Sequence, residues 1–214
     1  MKRFLLFVVV SLIGFPLNAV WAVPTEILPG SYSFDKATDT GTFTYHDETG
    51  VQLIDGSYGV APWSADLGNG PAYEWLGWLF DSPVNVDFDF GATTQIDSID
   101  VGTVQDNISD VVIPFVEIYD SPDGSTWTLV DSISIPESSA NDDTYMTLQF
   151  NDLGINDQFV RVALLHSFNG PWTFVDEVDF FQESTPIPEP STLVLLFAGI
   201  VGTALYTYHR KQVR

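Results

Sequence analysis

The strongest constraint on the fold is a period of two. Val84, Val86, Phe88 and Phe90 alternate with Asn85, Asp87 and Asp89, giving one apolar and one acidic face. The same beat returns with Val116 and Ile118 among Phe115, Glu117 and Tyr119. It returns again with Met146, Leu148 and Phe150 among Tyr145, Thr147 and Gln149, and with Val160, Val162 and Leu164 around Arg161. Successive side chains of a strand point to opposite faces, so each such segment has one face to bury. No stretch between residues 23 and 182 sustains a helical stripe over ten residues. Short strands broken by Gly, Pro, Asn and Asp predict an antiparallel sandwich or barrel. The clearest hairpin lies at Tyr119-Asp120-Ser121-Pro122-Asp123-Gly124-Ser125, where Pro presets φ and Gly supplies φ > 0. Thr126 to Ile135 is its return strand, and Trp127, like Trp75 and Trp78, is expected in the core. The acidic tip lacks the Asp spacing and closing Glu of an EF-hand, so it reads as a turn.

Both ends of the chain differ from this middle. Met1-Lys2-Arg3 followed by the apolar run Phe4 to Ile13 has the form of a signal peptide, too short for a good membrane span. Val20-Trp21-Ala22 sets cleavage after Ala22, so residues 1–22 are the expected leader. Pro24 to Pro29 reads as an entry linker, and residues 183–190 form a Pro-rich exit linker. Residues 191–214 hold an apolar run and then His209, Arg210, Lys211 and Arg214. Eighteen residues from Ser191 to Tyr208 would make roughly 27 Å of helix at ~1.5 Å per residue, close to a hydrocarbon core of about 30 Å. The basic end would stay cytoplasmic.

Across residues 23–190, between the leader and the C-terminal apolar run, Lys36 and Arg161 face all 29 acidic residues, a formal charge of −27. Such a surface has the wrong sign for nucleic acid or anionic lipid. It suits cations, calcium first among extracellular ones, and it equally serves solubility alone. The chain has 16 Phe, 8 Tyr and 6 Trp, which argues for a packed core rather than disorder. Without cysteine that core, or a metal, must supply stability. The chain holds no Gly-x-Ser-x-Gly, no phosphate-binding loop and no paired histidines.

Pro188-Glu189-Pro190, a short apolar helix and a basic end resemble the PEP-CTERM sorting signal. The resemblance implies an exosortase-type membrane protease as processing partner. It also implies transient anchoring in the inner membrane and delivery to the cell surface or extracellular matrix. The plain alternative is a C-terminal anchor. A second resemblance runs through the middle. Ser121-Pro122-Asp123-Gly124-Ser125-Thr126-Trp127 is similar to the S-x-D-G-x-x-W hairpin of discoidin, or coagulation-factor type C, domains. Asp55-Gly56, Trp75-Leu76-Gly77-Trp78 with Asp89-Phe90-Gly91, Phe159-Val160-Arg161-Val162 and Asp176-Glu177-Val178 follow in that family's order. The first strand, across Phe34 to Leu53, is hard to align. The resemblance implies an all-β, antiparallel jelly-roll β-sandwich of the galactose-binding-like group over residues 23–182. It would have eight strands and stand between a signal peptide and a C-terminal transmembrane helix.

In that group a structural Ca2+ often joins the early Asp-Gly loop to the closing Glu. The resemblance makes Asp55 and Glu177 the candidate metal ligands, with loop carbonyls near Ser57 and Tyr58. Sugar binding in the group uses loops at one end of the sandwich. The candidate ring platforms are Trp63, Tyr73 and Trp172, and the candidate polar partners are Asp66, Asn69, His166 and Asn169. All lie in Gly/Pro-rich loop sequence. The expected function is an exported, non-enzymatic module that binds extracellular polysaccharide. A surface protein that binds no sugar and a glycan-acting enzyme are the alternatives.

Overall fold

The computed structural model describes residues 23–38, 45–59, 63, 74–106, 108, 110–113, 115–135, 144–166, 171–183, 199–203 and 208–211. Among the described residues there are ten strands: β1 (Thr25–Ile27), β2 (Ser31–Phe34), β3 (Leu76–Leu79), β4 (Val84–Ile96), β5 (Ser98–Gln105), β6 (Phe115–Ser121), β7 (Thr128–Ser134), β8 (Thr144–Phe150), β9 (Ile155–Leu165) and β10 (Trp172–Gln182). They form two five-stranded antiparallel sheets. One runs β1-β10-β5-β8 with β3 also on β10; the other runs β2-β4-β9-β6-β7. The layout is an antiparallel jelly-roll β-sandwich, with ten strands rather than eight. Residues Pro24–Ser184 form a compact unit.

The alternation read from sequence sets the core. Val84, Val86 and Phe88 of β4, Val116 and Ile118 of β6, Leu148 and Phe150 of β8, and Val160, Val162 and Leu164 of β9 are all buried in one cluster. Ile99, Val101, Val175, Val178 and Phe180 of the facing sheet complete it. Trp75 and Trp78 are fully buried, as expected, and the Trp78 indole donates to the Lys36 carbonyl at 3.1 Å.

Three expectations need correction. Pro24 to Pro29, read as an entry linker, contains β1. Its backbone extends the first sheet by pairing Thr25 with Gln182 and Ile27 with Phe180. The segment that resisted alignment, Phe34 to Leu53, begins at the last residue of β2, where Phe34 pairs with Val86, and runs into a short 3-10 helix at Gln52–Ile54. Trp127 is not a core residue. It is partly exposed on the outer face of the second sheet, its ring 4.1 Å from the Arg161 guanidinium carbon. Arg161 in turn makes a two-pronged ion pair with Asp87, Nε–Oδ1 2.6 Å and Nη2–Oδ2 2.9 Å. The tryptophan therefore caps a charged pair, and cation–π attraction replaces core packing.

The leader, the Pro188-Glu189-Pro190 motif and most of the C-terminal apolar run lie outside the described residues. In the C-terminal segment, residues 199–203 of the run and residues 208–211 at its basic end are helical. Among the described residues no helix is long and apolar enough to cross a membrane.

Candidate functional site

Two regions gather the residues singled out from sequence. The first is the outer face of the first sheet, where the loop from Asp55 to Gly59 lies over β10. A bulge in β10 shifts its register against β5 between Val175 and Val178. Val175 and Val178 both enter the core, so two successive carboxylates, Asp176 and Glu177, lie between them. The loop meets these side chains with donors. Gly59 N–H donates to Asp176 Oδ2 at 2.8 Å, and Tyr58 Oη donates to Asp179 Oδ2 at 2.7 Å. Gly56 N–H bonds Glu177. Gly56 has φ +77°, a conformation that L side chains rarely adopt, which explains glycine after Asp55. Asp55 turns back on its own loop and accepts from Ser57 N–H at 2.9 Å.

Asp176, Glu177 and Asp179 are all buried, Glu177 to 1% exposure. Burial pushes the Glu177 carboxyl up to about 8, and the nearby charges of Asp179, Asp55 and Asp176 add to the shift. Burial also raises Asp176 and Asp179, although backbone N–H groups and the Tyr58 hydroxyl offset part of that effect. Glu177 Oε2 is buried with no hydrogen-bond partner among the described residues. The structure thus brings Asp55 and Glu177 into electrostatic reach of one another. Among the described residues no group of three His, Cys or carboxylate side chains closes on a single point. Sequence reading missed Asp176 and Asp179. Their signal was an acidic run inside an otherwise apolar last strand.

The second region is one end of the sandwich. Leu79 pairs with Trp172, Val84 with Leu164, Gln105 with Thr144, and Phe115 with both Leu165 and Ser134. The connections β3–β4, β5–β6, β7–β8 and β9–β10 therefore all leave from this end. Trp172 and His166 stand here, both partly buried. Trp63 joins them. Its ring stacks on fully buried Phe174 at 5.4 Å and 24°, and Trp172 stacks on the same ring at 5.3 Å and 11°. Tyr45 packs edge-on to both Trp172 and Phe174, and its hydroxyl donates to the Trp63 carbonyl at 3.0 Å. Asp66, Asn69, Tyr73 and Asn169 lie outside the described residues. Trp63 Nε1 and Glu74 Oε2 are buried without partners among the described residues.

Phe80 was not singled out from sequence, yet among the described residues it is the most exposed aromatic at this end, 74% accessible. Its backbone has φ +62°, and its N–H is bonded to the Pro171 carbonyl at 2.8 Å, beside Trp172. Nothing in Leu79-Phe80-Asp81-Ser82-Pro83 distinguishes it in advance from a packing residue. The two regions do not coincide. Glu177 is five positions along β10 from Trp172, roughly 16 Å at ~3.3 Å per residue.

These features agree with the comparisons. The model of the F5/8 type C domain matches residues 37–178, and the chain belongs to that family. Behind that domain it carries a PEP-CTERM protein-sorting motif, matched over residues 186–211. Among solved structures it is similar to truncated AlyQ with CBM32 and alginate lyase domains. That match has 15% identity and a TM-score of 0.50, over 80% of this chain and 38% of that one. It is also similar to the CBM32 of AlyQ in complex with 4,5-unsaturated mannuronic acid, with 15% identity and a TM-score of 0.48 over 74% and 98% of the two chains. The family 32 CBM of Clostridium perfringens NanJ in complex with galactose gives 16% identity and a TM-score of 0.48 over 75% and 100%. At such identities the likeness is one of fold. The comparison with curated proteins gives no match.

Proposed function

We propose that Pro24–Ser184 is a carbohydrate-binding module carried to the outside of a bacterial cell by the sorting motif behind it, with extracellular polysaccharide as its ligand. One observation carries this reading: an F5/8 type C domain over residues 37–178 is followed directly by a PEP-CTERM motif over residues 186–211. The solved relatives named for bound mannuronic acid and galactose supply the ligand class. Sugar would be held at the loop end, where Phe80 offers an exposed ring face beside Trp172 and where His166 also stands. An exosortase-type protease is the processing partner, acting near Pro188-Glu189-Pro190 in the inner membrane. No catalytic role is assigned.

Asp55 and Glu177 belong to a structural Ca2+ centre in the same proposal. The orphaned Glu177 Oε2 amid Asp55, Asp176 and Asp179 is the observation that fits a hard cation. Backbone carbonyls of the Asp55–Gly59 loop would fill out the shell. The ion would neutralise charge that the buried carboxylates otherwise hold against one another.

The test is binding of the full chain to the host's own exopolysaccharide and to a glycan array, with Phe80→Ala and Trp172→Ala as variants. Retention that falls with Phe80→Ala while the melting temperature holds supports the module. Failure to bind any glycan, or binding indifferent to both changes, removes it. A second reading, a structural surface protein without sugar binding, is favoured by one fact. Trp63 and Trp172 both lie against Phe174 in a packed cluster. Under that reading Trp172→Ala lowers stability and there is no affinity to lose.

A further inference from the structure

The outer face of the second sheet carries a cleft that neither the loop end nor the cation centre uses. Because Val86, Phe88, Val160 and Val162 turn inward, Asp87, Asp89, Phe159 and Arg161 turn outward. β2 adds Ser31 and Ser33 along one edge, both exposed. On the other side the β6–β7 turn folds back over the sheet. A Cβ on Gly124 would stand 3.5 Å from the Phe159 ring, and Trp127 covers Arg161. Between them lies a cleft of about 270 Å3 lined by Ser31, Ser33, Asp87, Asp89, Trp127 and Phe159, with Gly124 and Tyr32. That is just under the ~300–1,000 Å3 of small-molecule clefts, room for one ring rather than a chain of them.

The lining chooses the ring. Trp127 and Phe159 give apolar surface, and the serines give hydroxyls. Arg161 is spent on Asp87 in a two-pronged pair, so those charges cancel. Among the described residues Asp89 has only neutral donors: Gly91 N–H at 2.7 Å and Gln158 Nε2 at 2.9 Å, both on Oδ1. The cleft therefore carries one uncompensated negative charge, beside aromatic rings that attract cations. We propose that it is a second glycan subsite, selective for a pyranose bearing a free amino group. Asp89 takes the ammonium, and Trp127 and Phe159 take the ring's apolar face. Uronates are rejected by like charge. This site stands independently of the loop-end reading.

Calorimetric titration of the full chain in detergent micelles tests it, with fully deacetylated glucosamine oligomers as the probe. N-acetylated oligomers and oligogalacturonate are the comparisons. The amino form should bind more tightly than the acetylated form, and oligogalacturonate should not bind. Asp89→Asn should weaken the amino form about tenfold, the scale of one charge-assisted bond, and change the acetylated form little. Ser33→Tyr, on an exposed edge, should fill the cleft and abolish this binding with the fold intact, whereas Phe80→Ala should leave it unchanged. Asp100→Asn removes an equal charge from the opposite sheet and controls for diffuse attraction by an acidic domain. An equal loss from Asp89→Asn and Asp100→Asn overturns the proposal. So does binding indifferent to Ser33→Tyr, or no binding of the amino oligomer at millimolar concentration.

Discussion

Glu177 makes stability a function of pH, and the sign can be worked out. Its folded-state pKa stands near 8, against about 4.5 in an unfolded chain. Between these values the native state holds the proton more tightly than the unfolded state, so stability falls as pH rises. The contribution is complete below about pH 4.5 and lost by about pH 8. Each unit is worth ~1.4 kcal/mol, so the ceiling is roughly 5 kcal/mol. Relaxation and water entry around the ionised group should leave roughly 2–4 kcal/mol. At ~2–4 °C per kcal/mol that is a difference of about 4–16 °C in Tm. Glu177→Gln isolates it, because the carboxamide oxygen can keep the Gly56 N–H bond and nothing titrates. The assay is thermal unfolding of both proteins from pH 5 to 8.5 in EDTA. The two should have similar Tm at pH 5, and the variant should be the more stable at pH 8.5. Added Ca2+ should then stabilise the parent at pH 8.5, since a bound cation favours the ionised carboxylate, and leave the variant unmoved. Magnesium at equal concentration separates this from general screening. A difference between parent and variant that stays flat with pH in EDTA refutes the burial argument. A Ca2+ response shared equally by the variant refutes the metal centre.

Three further outcomes follow from the packing. Gly102→Ala should cost about 2–4 kcal/mol by chemical denaturation. Its new Cβ would meet Asp176 Oδ1 at 1.9 Å, and Asp176 cannot swing away without losing its bonds from Gly59 and Glu177 N–H. Trp78→Ala should cost about 3–5 kcal/mol as a large-to-small core change. Trp127→Ala should cost only about 1–2 kcal/mol, the scale of a partly exposed cation–π contact, and equal costs would show that the two environments are misassigned. Replacing Pro188 and Glu189 with Ala should leave the protein in the membrane fraction; normal release of the altered chain would reduce the segment to a plain anchor.

The strands that were legible share one property: a face in the core and a face outside it. β4, β6, β8 and β9 alternate because sheet geometry forces alternation on them. β1 offers only three residues between prolines, too few for a period to register. Its pairing with the last strand is a long-range fact that local sequence does not carry. The extension of β4 past Gly91 was hidden for a related reason. Gly91 has φ +75°, and the register against β9 shifts between Asp89 and Thr94, so the period is interrupted inside one continuous strand.

The sites divide along the same line. Asp55 and Glu177 were paired by resemblance to a family, and no spacing in the chain would have paired them. Asp176 and Asp179 joined them because a bulge and a covering loop bury an acidic run that looks solvated when written out. Trp127 shows the limit most clearly. A tryptophan after a tight turn suggests core when only one face of a sheet is imagined as covered. Here the second face carries Arg161, one of the two basic residues outside the terminal segments. Asp87 holds that guanidinium flat on the sheet, where an indole can lie over it. The turn is then held against β9 rather than standing free, and the space left between it and β2 is the cleft with Asp89 in its floor. One of only two basic residues between the terminal segments is thus the residue that shapes this face, and its sequence neighbours give no sign of it.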